Sequence, residues 1–172
     1  MVESEKSWIS EIESDSELMD NKQWEETKMP DMEMEMELSA FPIGEKNPVA
    51  GQYFIGQSYV AFLTKEQIPT INVTFEPGCR NFWHIHRAAS GGGQMLICVY
   101  GRGWYQEWGK APQELHSGDI VNIPPDVKHW HGAAKDSWFQ HLALSIPGEG
   151  GRTEWLEPVS DEAYALLEAG RD

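Results

Sequence analysis

The sequence has little cysteine, little positive charge and no long apolar run. Two cysteines in 172 residues, Cys79 and Cys98, with no CxxC pair, give no disulfide framework. Lys and Arg number 13 against 28 Asp and Glu, a formal net charge of -15. A phosphate-neutralising patch is therefore missing, which argues against nucleic acid and anionic membrane surfaces as partners. No run approaches the roughly 18 apolar residues of a membrane span. The N-terminus, "MVESEKSWISEIESDSE", lacks both the basic and the apolar segment of a secretory leader. A soluble cytoplasmic protein is expected. No repeat of 20–50 residues is visible.

What is abundant is turn chemistry. Sixteen glycines, ten prolines and 11% aromatic residues point to a turn-rich β protein and not a helical bundle. The acid is unevenly spread. Residues 1–38 hold 13 Asp and Glu against three Lys, so the charge belongs mostly to an N-terminal segment. We divide the chain into an acidic extension (1–31), a β domain (32–158) and a C-terminal helix (159–172). In the extension Trp8, Ile12 and Met19 fall near helical spacing, with polar residues crowded between them. In "DMEMEMELS" the apolar Met32, Met34, Met36 and Leu38 alternate with glutamates, the period of a half-buried edge strand. A thioether site for soft Cu(I) is the sharper alternative.

From Gln52 onward short strands follow turns. "YFIGQSYVAFL" is strand-like with a bend at Gly56, and "TINVTF" (Thr70–Phe75) stops at the turn "EPG". "NFWHIH" reads as one strand, and "QMLICVYG" (Gln94–Gly101) as another closed by a hairpin at "GRG". "WYQEWG", "QELH", "IVNIPP", "VKHWHGA" and "SWFQHLALSIPG" complete the set. Many short strands at this spacing indicate a sandwich or a small barrel. "SDEAYALLEAG" reads as a helix with Ser160 as its N-cap and Gly170 as its stop.

Five of the six histidines lie in strand-like pieces: His84, His86, His129, His131 and His141. On a strand, residues i and i+2 share a face, so His84 projects with His86 and His129 with His131. If the two strands face each other across a barrel, up to four imidazoles converge. One HxH pair alone can equally be structural core; the second pair tips the reading to a metal site. The sixth, His116, sits by a "SGD" turn and should be exposed. Phe82, Leu96, Val127 and Phe139 share the ligand parity and are candidates for an apolar pocket wall. Trp83 and Trp130 have the opposite parity and should pack outside the barrel, where aromatics suit a dimer interface. Cys98 has the parity of Gln94 and reads as a small buried hydrophobe, with thiolate ligation as the alternative. Any β-bulge would shift these parities.

The stretch "GCRNFWHIHRAASGGGQMLICVYG" (78–101) resembles the first motif of the cupins: a glycine, HxH, a ligand six to seven residues before a second glycine. Gly78, His84, His86 and Gly101 match. Gln94 stands where the family usually has glutamate, after a longer gap than usual, which "RAASGGG" fills as a flexible hairpin. "GDIVNIPPDVKHWHGA" resembles the second motif, with Gly118, Pro124 and His129 in place and Asp126 where glycine is usual. The resemblance covers about residues 40–158. It implies an all-β fold, a double-stranded β-helix (jelly-roll) barrel, with a short C-terminal helix. "FEPG", "KHWHGA" and "EWLEPVSDEAY" bring the chain nearer to cupins associated with carboxymuconolactone decarboxylase and to manganese-dependent hydroxynitrile lyases of cupin fold.

That closer resemblance implies His84, His86, Gln94 and His129 as metal ligands, with His131 and His141 as catalytic acid–base groups beside them. The cofactor it implies is a divalent transition metal, manganese first, with Fe, Zn, Ni or Cu as alternatives. Three imidazoles and a neutral amide leave the ion's positive charge uncompensated, which suits an anionic or hydroxyl-bearing small-molecule substrate. The expected function is a lyase of hydroxynitrile-lyase type. The alternatives are a metal-dependent dioxygenase and a non-catalytic cupin that binds a small ligand. Cupin barrels commonly pair through N-terminal strands, so a homodimer or higher homo-oligomer is expected, with the Met32–Leu38 strand at its edge.

Overall fold

The computed structural model describes residues 39–48 and 50–169. The acidic extension, the Met32–Leu38 strand and Gly170 lie outside the described residues. The strands, in chain order, begin with β1 (Glu45–Lys46), β2 (Phe54–Ile55), β3 (Ser58–Thr64), β4 (Thr70–Phe75), β5 (Arg80–Asn81), β6 (His84–Arg87) and β7 (Ser90–Gly91). They continue with β8 (Gln94–Glu107), β9 (Gln113–His116), β10 (Ile120–Ile123), β11 (Lys128–Ala133), β12 (Phe139–Ser145), β13 (Gly148–Glu149) and β14 (Arg152–Trp155). One helix, α1 (Asp161–Glu168), closes the described chain. All strand pairs are antiparallel; β7 and β13 form a separate two-stranded sheet, and the others form two curled layers. The first runs β1-β3-β4-β12-β8-β10 and the second holds β2, β5, β11, β8 and β9, with β6 and β14 extending it. This is the double-stranded β-helix barrel.

Strand β8 belongs to both layers. Its first half pairs with β12 and β10, and its second half with β11 and β9. The expectation of a hairpin at "GRG" is therefore corrected: the chain bends there without reversing, and one 14-residue strand results. Gly101 makes the bend at φ 72°, opposite Phe139, and next to it the register against β12 shifts, with Gln140 opposite Tyr100, His141 opposite Cys98 and Val99 as the extra residue. The bend brings β12 so close that a Cβ on Gly101 would sit 1.8 Å from the Trp138 carbonyl oxygen. Only glycine satisfies both the backbone angle and the contact. "NFWHIH" is likewise two strands, since pairing lapses at Phe82 and Trp83 between β5 and β6.

The barrel interior is filled by Phe75, Leu96, Leu115, Ile123 and Phe139, all nearly without solvent contact, together with Val73, Cys98 and Tyr105. A second cluster lies outside it. Trp83, Trp104 and Trp130 pack there against Val159 and Tyr164 of the C-terminal segment. Trp83 and Trp130 thus do leave the barrel, and both are buried there, Trp130 against Tyr164 of α1 and Trp83 against Trp108 and Trp130. The helix is anchored chemically as well. Ser160 Oγ accepts from the Ala163 amide as N-cap, and Arg80, buried beneath, donates to the Val159 carbonyl and pairs with Asp161. The Arg80 guanidinium lies 4.4 Å over the Tyr164 ring, whose hydroxyl donates to the Ala133 carbonyl at 2.7 Å. Among the described residues no helix is long and apolar enough to cross a membrane.

The bend at Gly101 is open to a direct check. Gly101→Ala should lower the denaturation midpoint by an amount worth about 3 kcal/mol or more, because a positive φ and a backbone clash act together. Gly109→Ala, at φ 76° with nothing near the added methyl, should cost only about 1 kcal/mol. Equal losses in the two variants, read from urea titrations, would remove the close approach as the reason for glycine.

Candidate metal centre

Three strands bring the site together. β6 carries His84 and His86, β11 carries His129 and His131, and β8 begins at Gln94. β6 and β11 are paired antiparallel with His129 opposite His84, so alternation aims His84, His86 and His129 at one point inside the barrel. Their ring centroids lie 4.2 Å (His84–His129), 5.1 Å (His84–His86) and 5.3 Å (His86–His129) apart. One ligand atom from each falls within 4.8 Å of the others, so the three can hold a metal ion.

The orientation of each ring is fixed from behind. His84 Nδ1 donates to the Phe82 carbonyl and His129 Nδ1 to the Val127 carbonyl, both at 2.9 Å. His86 Nδ1 meets Thr153 Oγ1 at 3.2 Å. With Nδ1 engaged, Nε2 is the nitrogen left to face inward, the arrangement that metal-ligating imidazoles adopt. His86 Nε2, His129 Nε2 and Gln94 Oε1 are buried and have no hydrogen-bond partner. Buried polar atoms without partners cost about 1–3 kcal/mol each, and an acceptor set with no donor is what a cation would satisfy. Gln94 belongs to this group by contact too, since its amide interacts with the His86 ring. The two groups face each other without an aligned hydrogen bond between them.

The electrostatics keep these rings in ligand form. Burial pushes His86 down to about 4, with the Gln94 amide pulling the other way. Burial first and repulsion from His86 second push His129 down to about 3. His84 is driven well below its ordinary value by burial, then by His129 and His86. All three are neutral at physiological pH, so their lone pairs are free.

His131 and His141 lie beside this group. His131 is 5.5 Å from the His84 ring and His141 is 4.7 Å from His131. His141 Nε2 meets His131 Nδ1 at 3.0 Å. Burial pushes His141 down to about 3, and burial and then His141 push His131 well down. Phe75 packs against both rings, and Phe139 against His141.

Leu96 and Phe139 take their expected places in the core, and Val127 packs against it. Phe82 does not. The lapse between β5 and β6 turns it away from the core cluster, and it meets Tyr53 edge-on at 6.2 Å. The same lapse turns Asn81 inward against His131, a contact that unbroken alternation would forbid. Cys98 is a buried member of the core, and burial pushes its thiol up to about 12, so it is no thiolate. His116 is exposed. Asp126, where glycine is usual, adopts φ 65°. The "RAASGGG" loop is held more firmly than expected: β7 pairs with β13, and Gly92 donates to the Pro147 carbonyl. Sequence reasoning passed over β14. It pairs with β6, sets Trp155 at a tilt 4.7 Å from His84 and supplies Thr153 to His86. Its only signal is the short alternation in "RTEW".

The neutral imidazoles carry a consequence for the metal-free protein. A histidine held below its unfolded value of about 6.5 binds fewer protons folded than unfolded. Its stabilising contribution is complete above that value and is lost as pH falls toward its folded value of about 3 to 4. Stripped of metal, the protein should lose about 1.4 kcal/mol per pH unit for each buried histidine between roughly pH 6 and 5, above the carboxylate range. Urea midpoints across that window read the slope, and a flat profile would contradict neutral burial.

Comparison with known proteins agrees with this architecture. No family model matches the chain. A protein of Granulicella tundricola named (R)-mandelonitrile lyase is 46% identical over 93 residues, which cover 54% of this chain and 68% of that protein. The crystal structure of a cupin-like protein from Thermotoga maritima superposes with a TM-score of 0.66 at 37% identity, covering 76% of this chain and 98% of its own. A predicted oxalate decarboxylase from the same organism shares the fold, at TM-score 0.51 and 17% identity over 59% of this chain and 91% of its own. By its barrel, its histidine cluster and these relatives, the chain belongs to the cupin superfamily.

Proposed function

We propose that this protein is a metal-dependent lyase that cleaves small cyanohydrins, with His84, His86, Gln94 and His129 as ligands of Mn(II). The observation that carries the reading is a buried acceptor set of imidazoles and one neutral amide, placed beside a second, neutral imidazole pair. The 46% identity to a mandelonitrile lyase supports the same chemistry. Imidazole nitrogens suit several first-row ions, and an amide oxygen in the set moves the preference toward manganese. A divalent ion held there supplies an electrophile for the substrate's hydroxyl oxygen, with its charge undiminished by any carboxylate.

The chain's own groups do the rest. The imidazole pair of His131 and His141, neutral because it is buried, is the base that takes the hydroxyl proton. The carbon–carbon bond to the nitrile then breaks, its electron pair leaves with cyanide, and the carbonyl forms. The imidazolium returns its proton to cyanide, so hydrogen cyanide and an aldehyde are released. Leu96, Phe139 and Val127 belong to the packed apolar core beside the site and help keep water from it.

Purified protein loaded with Mn(II) should release cyanide from mandelonitrile, and chelation should abolish the activity. Absence of release at saturating metal would rule the lyase out. Substrate-dependent oxygen uptake would then point to a dioxygenase, and ligand binding without turnover to a non-catalytic cupin. Gln94→Glu should keep its metal, because a carboxylate ligates as well, yet lose about tenfold or more in kcat, or about 1.4 kcal/mol. Unchanged kcat with full metal occupancy would show that the neutral amide has no chemical role.

A further inference from the structure

Gln94 is the one proposed ligand that arrives by a long connection. His84, His86 and His129 sit on β6 and β11, which pair directly with each other. Residues 87–93 lie between His86 and Gln94, so the place of the Gln94 amide depends on how that loop is held. Gln94 Oε1 is buried and has no hydrogen-bond partner. No donor in the protein fixes that oxygen, and its position is left to the backbone that carries it.

A segment distant in sequence holds the loop. The Gly93 carbonyl accepts the Ile146 amide N–H at 3.1 Å, and the Gly92 amide donates to the Pro147 carbonyl at 3.0 Å. Gly148 of β13 then lies directly against the loop. A Cβ on Gly148 would stand 2.6 Å from the Gly92 nitrogen, 2.7 Å from its Cα and 3.0 Å from Ala88 Cβ. The backbone of Gly148 is outside the left-handed region, so its conformation does not call for glycine. Only the closeness of Gly92 does. Gly93 is set as tightly against β10, where a Cβ would lie 2.4 Å from the Ile123 carbonyl oxygen. The glycines here serve close contact. A side chain at position 148 would meet backbone, which cannot swing aside, and would push Gly92 two residues before the ligand.

We propose that residues 146–148 position the Gln94 amide for the metal, with Gly148 as the positioning residue whose missing side chain lets β13 press on Gly92. The proposal rests on the ligand set given above. Ligand distances tolerate only about 0.2 Å of change. Groups that orient ligands alter metal affinity about 10- to 100-fold when they are changed.

Mn(II) binding to the full-length protein, followed by the EPR signal of the free ion, tests this as a double-mutant cycle. Gly148→Ala should weaken Mn(II) binding about tenfold or more. Gly151→Ala adds a methyl to the same connection at an ordinary 3.4 Å from the Gly148 carbonyl oxygen, and should leave the affinity unchanged. Gln94→Ala should weaken binding by itself. In that background Gly148→Ala should cost nothing more, because its effect passes through the amide. Wild-type affinity in Gly148→Ala, or the same loss with and without Gln94, overturns the proposal. If Gly148→Ala does not fold, Ile146→Pro decides. It deletes the N–H that Gly93 accepts, and its loss of affinity should likewise vanish in Gln94→Ala; a loss that persists there overturns the proposal. Wild-type affinity in Gln94→Ala would overturn the ligand reading together with it, whereas additive losses would leave Gln94 a ligand and remove only the positioning role.

Discussion

Several imidazole nitrogens and an amide oxygen, acceptors with no donor among them, are held together in the dry interior of a barrel. Everything around the site depends on making that arrangement tolerable. The Nδ1 atoms are tied to carbonyls and to Thr153, so the rings cannot swing out to find water. Strand alternation aims the rings inward, and the pairing of β14 with β6 closes the flank through Trp155. Such a cluster is costly unless a cation completes it. The same burial that makes it costly keeps the imidazoles neutral and therefore able to ligate.

The architecture follows the same economy of parts. β8 serves both layers, and it starts the first of them with Gln94 and ends in the second beside His129. The bend at Gly101 is what allows one strand to do both, and the extra residue Val99 beside it shifts the register just before His141. The outer tryptophans and α1 back the second layer, with Arg80 joining helix to strand.

Much of this was legible from local spacing. Two HxH pairs on strands gave the inward face, and Ser160 marked the helix start. Gln94 stands out by its distance from Gly101. What escaped depends on contacts distant in sequence or on broken alternation. Phe82 and Asn81 exchanged faces because pairing lapses before His84, and no residue there announces the lapse. The "GRG" glycines look like a hairpin because glycine permits both a reversal and a bulge; only the approach of Trp138 decides between them. Trp130 was placed outside the barrel by parity, but parity is blind to the helix that covers it. Thr153 and Trp155 lie far along the chain from the histidines they support, with only a four-residue strand to flag them.

The central claim is that His84, His86, His129 and Gln94 form one metal site. A crystal structure of the Mn(II)-loaded protein, with anomalous differences collected above and below the manganese edge, tests it most directly. The account predicts a single manganese peak bonded to Nε2 of the three histidines and to Oε1 of Gln94. A peak elsewhere, or one held by the histidines with the Gln94 amide turned away, would contradict it.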